Sequence, residues 1–123
     1  MPTRQQHIKK YEENKLLLGT KLSVENAEFY NWIVTVAFYA ALHLVEARLA
    51  DDNIDSSDHT ARNNNVERFN YFQPIRAKYK VLYDRSRVAR YDATFMNEKK
   101  ARFALSCLET IEHELHNKKP DTP

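Results

Sequence analysis

Glycine is almost missing from this chain. Its 123 residues hold one, Gly19, and four prolines, two of them within the last four positions. So few breakers leave little material for tight turns, which excludes a many-stranded β fold and points to long helices. The same scarcity excludes a glycine-rich phosphate loop, so P-loop and dinucleotide-binding chemistry has no support. No serine stands in a nucleophile-elbow context either. A single cysteine, Cys107, excludes an internal disulfide and fits a reducing compartment. The opening stretch, MPTRQQHIKKYEENK, has no apolar run and is not expected to be a signal peptide.

What is present reads as one folded domain. The chain is 42% hydrophobic and 29% charged, the usual balance for a globular protein long enough to bury one core. We place a single helical domain at 1–117 and a flexible tail at 118–123, where KKPDTP offers nothing to bury. The run YNWIVTVAFYAALHLVEARLA, residues 30–50, approaches the length of a membrane span. His43, Glu46 and Arg48 interrupt it, so a buried core helix is expected, in a cytoplasmic protein with no membrane contact.

Five helical segments are expected. The first covers about Arg4–Leu18, with Gly19 as its C-cap. The second covers about Val24–Ala50 from Ser23 as N-cap, with Asn26 where a capping box would carry Glu or Gln. After the acidic loop DDNIDSSD, a third runs over about Thr60–Phe69 from Asp58 or His59. The fourth spans Pro74–Arg90, proline being acceptable in a first turn. Past YDAT, the fifth spans about Phe95–Asn117, packing through Ala101, Ala104, Leu105, Leu108, Ile111 and Leu115.

The second segment is apolar over more than half its circumference, which predicts a place at the centre of a bundle. Glu28, Asn31, Thr35, Tyr39, His43 and Glu46 form the remaining polar stripe. That stripe faces water, neighbouring helices, a second copy of the chain or a ligand cleft. If buried, it needs partners, because an unpaired polar group costs about 1–3 kcal/mol.

Net charge is +2, but the charges are segregated. Acids gather in 51–58, and Arg76, Lys78, Lys80, Arg85, Arg87 and Arg90 gather in the fourth segment. There Arg76, Lys80, Tyr83, Arg87 and Arg90 share one face at three/four spacing. A basic face with an interleaved tyrosine suits phosphate backbones and base stacking. The alternative is a solvated cationic face paired with acids elsewhere.

Other constellations are weaker. His113 and His116 are three apart, not the four of a zinc-protease helix. DDNIDSSD lacks the glycine and closing glutamate of a calcium loop. Cys107 opposite His43 is the remaining dyad, although lone cysteines are commonly small core residues. No metal and no cofactor are therefore expected. His59 with Arg62 is the candidate catalytic pair. Histidine titrates near neutrality, and arginine supplies a fixed bidentate charge to phosphate.

The order of pieces resembles a HEPN domain (higher eukaryotes and prokaryotes nucleotide-binding). The resemblance rests on WIVTVAFYAALHLVEARLA, SSDHTARNN and YKVLYDRSRVARYDATF, and covers roughly residues 23–115. It implies an all-α, up-and-down bundle of four to five helices, commonly a homodimer. Many members bind or cut RNA in toxin–antitoxin or defence systems, and others act beside a nucleotidyltransferase. The family's ribonucleases carry an arginine followed by histidine after four to six residues. No arginine here has that follower, and His59 precedes Arg62, so the family's catalytic pair is not carried over. The expectation is RNA or nucleotide binding through the basic helix, with cleavage open. The alternative is a non-catalytic dimeric module for a protein partner such as a nucleotidyltransferase.

Overall fold

The structure is a computed structural model that describes residues 2–24, 30–91 and 96–117, with Asn117 by its backbone alone. The tail at 118–123, Glu28, Asn26 and Phe95 lie outside the described residues, while Val24, expected to open the second helix after Ser23, stands in a turn. Among those described there are five α-helices and no strand. They are α1 (Arg4–Gly19), α2 (Tyr30–Asp51), α3 (His59–Arg68), α4 (Arg76–Tyr91) and α5 (Glu98–Glu112). A 3₁₀ segment, Asn70–Ile75, leads into α4, and one π-helical turn, His113–Asn117, extends α5.

Local chemistry sets these limits. Thr3 and Gln6 form a reciprocal capping box at the start of α1. Its other end is capped by Thr20, and Gly19 stays helical without the positive φ that a glycine cap uses. Helix α2 ends in paired bonds from the Ile54 N–H to the Leu49 carbonyl and from the Asn53 N–H to the Ala50 carbonyl. Asn53 takes the left-handed conformation this motif needs, with φ 59°. Asp58 caps α3 through the Ala61 N–H, and Asn97 caps α5 through the Lys100 N–H. Pro74 falls inside the 3₁₀ segment rather than in the first turn of α4.

Long-range pairs fix the topology. Arg4–Asp51 and His7–His43 run α1 antiparallel to α2. Arg48 over the Tyr71 ring, just before α4, and Tyr39 with Arg90 near the end of α4 run α4 antiparallel to α2. Tyr11 donates to Glu112, and Lys15 pairs with the same carboxylate at 2.9 Å, tying α1 to α5. The result is an up-and-down bundle of α1, α2, α4 and α5, with the short α3 laid on one side.

Helix α2 is the central element. Ile33, Val34, Ala37, Phe38, Ala40, Ala41 and Val45 are fully buried against α1, α4 and α5. Its alanines let neighbouring backbones approach, so its apolar arc is covered within one chain. By length and composition α2 could cross a membrane, and 78% of its most apolar window is packed inside the bundle.

Helix α3 contributes one buried apolar side chain, Val66, so polar contacts carry much of its attachment. Arg76 supplies two of them, from Nε to the Val66 carbonyl (2.8 Å) and from Nη2 to the Phe69 carbonyl (3.0 Å). The Val66 carbonyl is left over at the helix C-terminus, and the Phe69 carbonyl takes Arg76 beside the Phe72 N–H; a cation at this end is also favoured by the dipole. Arg76→Ala is expected to cost about 1.5–3 kcal/mol, the range for hydrogen bonds to a charged group. Arg76→Lys should recover little, since an ammonium lacks the fork that spans two carbonyls. Urea unfolding of the three proteins checks this; equal midpoints for wild type and R76A would contradict it.

Candidate nucleic-acid interface

The polar stripe of α2 meets neighbouring helices turn by turn. Near its start the Thr35 hydroxyl donates to the Asn31 carbonyl (2.9 Å). The Tyr39 hydroxyl accepts from Arg90 Nη1 (2.9 Å). The Nδ1 atoms of His43 and His7 lie 3.0 Å apart. Glu46 accepts from Arg62 Nε at 2.5 Å. Tyr39, His43 and Glu46 are thus partnered by α4, α1 and α3, and Thr35 within α2 itself.

The Glu46–Arg62 pair is the electrostatic centre of this arrangement, with side chains only 4% and 11% exposed. Arg62 is held on a second side by His59, from Nη1 to Nδ1 at 3.0 Å. A guanidinium can only donate, so His59 Nδ1 accepts and the imidazole carries its proton on Nε2. Burial first, and then the charges of Arg62 and Arg90, pull the His59 pKa down. His59 is therefore a neutral ring that presents an N–H. It makes no second hydrogen bond among the described residues. The His43–His7 contact works in the same sense. Two nitrogens at that distance share one proton, and burial lowers both pKa values, His43 to about 4. His43 is engaged by His7, not by Cys107, whose buried thiol has its own pKa pushed up.

Around His59 the aromatic and basic residues of α4 gather. Its ring packs on Phe38 (5.8 Å between centroids) and on Tyr83 (5.7 Å). Arg87 sits over the other reach of Tyr83, 5.8 Å from the ring centroid. Arg90, bonded to Tyr39, is close enough to His59 to bias its titration. Lys80, Arg87 and Arg90 are exposed, and Tyr83 is half-buried. Of the five residues expected to form the basic face, Lys80, Tyr83, Arg87 and Arg90 remain on one open stripe. Arg76 is turned inward to the carbonyls at the end of α3. Lys78 and Arg85 leave for the opposite side of α4, toward Phe103 of α5.

Below this patch, α3 and α4 enclose a cleft of about 230 Å³. Tyr83 lines it together with Lys80, Asn63, Asn64, Glu67 and Tyr79. Tyr79 is 2% exposed, and its hydroxyl lies near Arg62. Sequence periodicity marks Tyr79 only as a packing residue. The one available signal for this cleft is the run Asn63-Asn64-Asn65, poor helix formers in a helix interior. No group of three or more metal-ligating side chains occurs among the described residues.

No family model matches the chain, and no curated protein or solved structure does either. The patch offers fixed cations, an imidazole N–H donor and a tyrosine face. It is poorly arranged to take up a proton, because one His59 nitrogen is bonded to Arg62 and the other is protonated. Glu46 is buried in its ion pair, and Asp58, beside His59 in sequence, accepts from the Ala61 N–H.

Proposed function

We propose that this chain is a HEPN-like bundle that binds single-stranded RNA, or the phosphate of a nucleotide, through the α3–α4 face, in a toxin–antitoxin or defence setting such as the resemblance implies. The observation that carries the reading is the gathering of His59, Tyr83, Arg87 and Arg90 on one face. Arg87 and Arg90 are phosphate clamps, Tyr83 is the stacking surface, and His59 donates from Nε2. Arg62 holds His59 in that tautomer rather than touching ligand. Binding without cleavage is the expected behaviour. Labelled RNA titrated at 50–200 mM salt tests it. Affinity should fall with salt, and R87A and R90A should each reduce the log–log slope by about 0.7, the increment for one phosphate contact on a single strand. A salt-insensitive affinity, or none, would sink the reading.

A second reading is favoured by Trp32 and Tyr91, which are 53% and 83% exposed. In it the chain is a homodimer, or docks a protein such as a nucleotidyltransferase, through these aromatics. Sedimentation at micromolar concentration decides for the homodimer: a dimer dissociated by W32A/Y91A supports it, and a monomer in both proteins counts against it.

A further inference from the structure

The triple asparagine in α3 is where the sequence departs from what its helix needs. Asn65 has a structural use, donating to the Ser56 hydroxyl at 3.2 Å. Asn63 and Asn64 have none, since neither makes a side-chain hydrogen bond among the described residues. Asparagine is a weak helix former, and two of them at interior positions of a ten-residue helix lower its stability without local return. Such breaches of local preference concentrate at functional positions. Both asparagines line the α3–α4 cleft.

The other walls supply complementary chemistry. Glu67, 65% exposed at its side chain, lies 3.9 Å from Arg76 and is only loosely held by it. Asp84 faces the same space, with Lys80 beside it and Tyr83 as an aromatic wall. Tyr79 belongs to the same lining. At about 230 Å³ the cleft is smaller than the ~300–1,000 Å³ of pockets for drug-sized ligands. That is room for one ring system rather than a whole nucleotide. Glu67 and Asp84 can only accept, each asparagine amide sets a carbonyl beside an N–H donor, Lys80 donates, and Arg76 is already committed to the carbonyls at the end of α3. An exocyclic amine is met by the carboxylates and amide carbonyls, whereas a carbonyl at the same ring position would face the carboxylates lone pair to lone pair.

We infer that the α3–α4 cleft is a nucleobase pocket selecting bases with an exocyclic amino group, cytosine or adenine over uracil, for a strand whose phosphates lie on Arg87 and Arg90. This rests on the RNA-binding reading above. Asn63 and Asn64 meet the polar edge of the base, Glu67 accepts from its amine, Tyr83 covers its face, and Lys80 stands at the rim.

Cytosine and uracil are matched in size and differ at the discriminating edge, so oligo(C) and oligo(U) of eight residues are the sharpest probes, with oligo(A) as the purine case. Fluorescence anisotropy at one fixed salt concentration should show oligo(C) and oligo(A) binding roughly tenfold tighter than oligo(U), within the range for one good bidentate base contact. N63A/N64A should bring all three within about twofold of one another, while R87A weakens all three by the same factor. Alanine favours the helix, so the double variant should also unfold at a higher temperature than wild type, which separates lost recognition from lost folding. RNA binding without base preference, or a preference that survives N63A/N64A, overturns the pocket while leaving the phosphate-binding face standing. Absence of salt-dependent binding to any of the three overturns both.

Discussion

Arg62→Ala is expected to destabilise the protein by about 3–5 kcal/mol, the cost of stranding one member of a buried ion pair. Glu46 lies towards the C-terminal half of α2 with almost no access to water, and Arg62 is its charge partner. Removing the guanidinium also frees His59 Nδ1 and takes away the group beside the Tyr79 hydroxyl. The loss is one of unmatched charge rather than of a strong net attraction, because burying the pair has already cost much of its Coulomb energy. Replacing both partners with apolar residues of similar size, as in Glu46→Leu/Arg62→Met, should therefore recover most of the stability. Urea unfolding followed by circular dichroism distinguishes these outcomes. A single variant within about 1 kcal/mol of wild type, too small for a stranded buried charge, would mean that the pair is solvated.

The reason this pair escapes a sequence reading is separation. Glu46 and Arg62 are 16 positions apart, His7 and His43 are 36 apart, and Tyr39 and Arg90 are 51 apart. Periodicity showed that α2 is central and that Asn31, Tyr39, His43 and Glu46 share a stripe, since both facts follow from 100° per residue. It left open what the stripe faces, because partners arrive from α1, α3 and α4 only after the bundle closes. His7 went unread for the same reason: it stands in a charged segment and is buried only by packing against α2. The basic helix shows the other limit. Arg76 and Arg87 occupy the same stripe of α4, yet Arg76 reaches the carbonyls of Val66 and Phe69, which are open to a side chain only where α3 ends. The five-helix, all-α architecture needed no such information, because scarce glycine and the helical spacing of apolar residues already demand it.

Acid should weaken the fold between pH 7 and 4 through the His7–His43 contact. In an unfolded chain both imidazoles titrate near 6.5. In the fold His43 titrates near 4, with burial the largest cause, followed by the positive charges of His7, Arg62 and Lys10 and opposed by Glu13. His7 is lowered as well, again by burial first, with Glu46 and Asp55 opposing and Arg62 adding to the effect. Between the two values the unfolded chain binds the additional proton, so protons drive unfolding and stability falls as pH drops. Above about 7 both states are neutral and the effect vanishes; below about 4 both are protonated and the loss levels off. The contribution from His43 should be on the order of 2 kcal/mol, allowing for solvent on its partly open side. Unfolding curves at pH 7, 5.5 and 4 for wild type and His43→Gln measure it. The variant should lose less stability than wild type on acidification, and parallel curves would contradict the assignment.

The central claim is that His59, Tyr83, Arg87 and Arg90 form one RNA-binding face. The most direct measurement is a chemical-shift titration of isotope-labelled protein with an eight-residue single-stranded RNA. The expected result is salt-dependent displacement of the His59 and Tyr83 ring signals and of the Arg87 and Arg90 side-chain signals, with Lys9 and Lys10 of α1 unmoved and the RNA recovered intact. Shifts confined to α1 or to the Lys78–Phe103 side of α4, or no shifts at all, would contradict it.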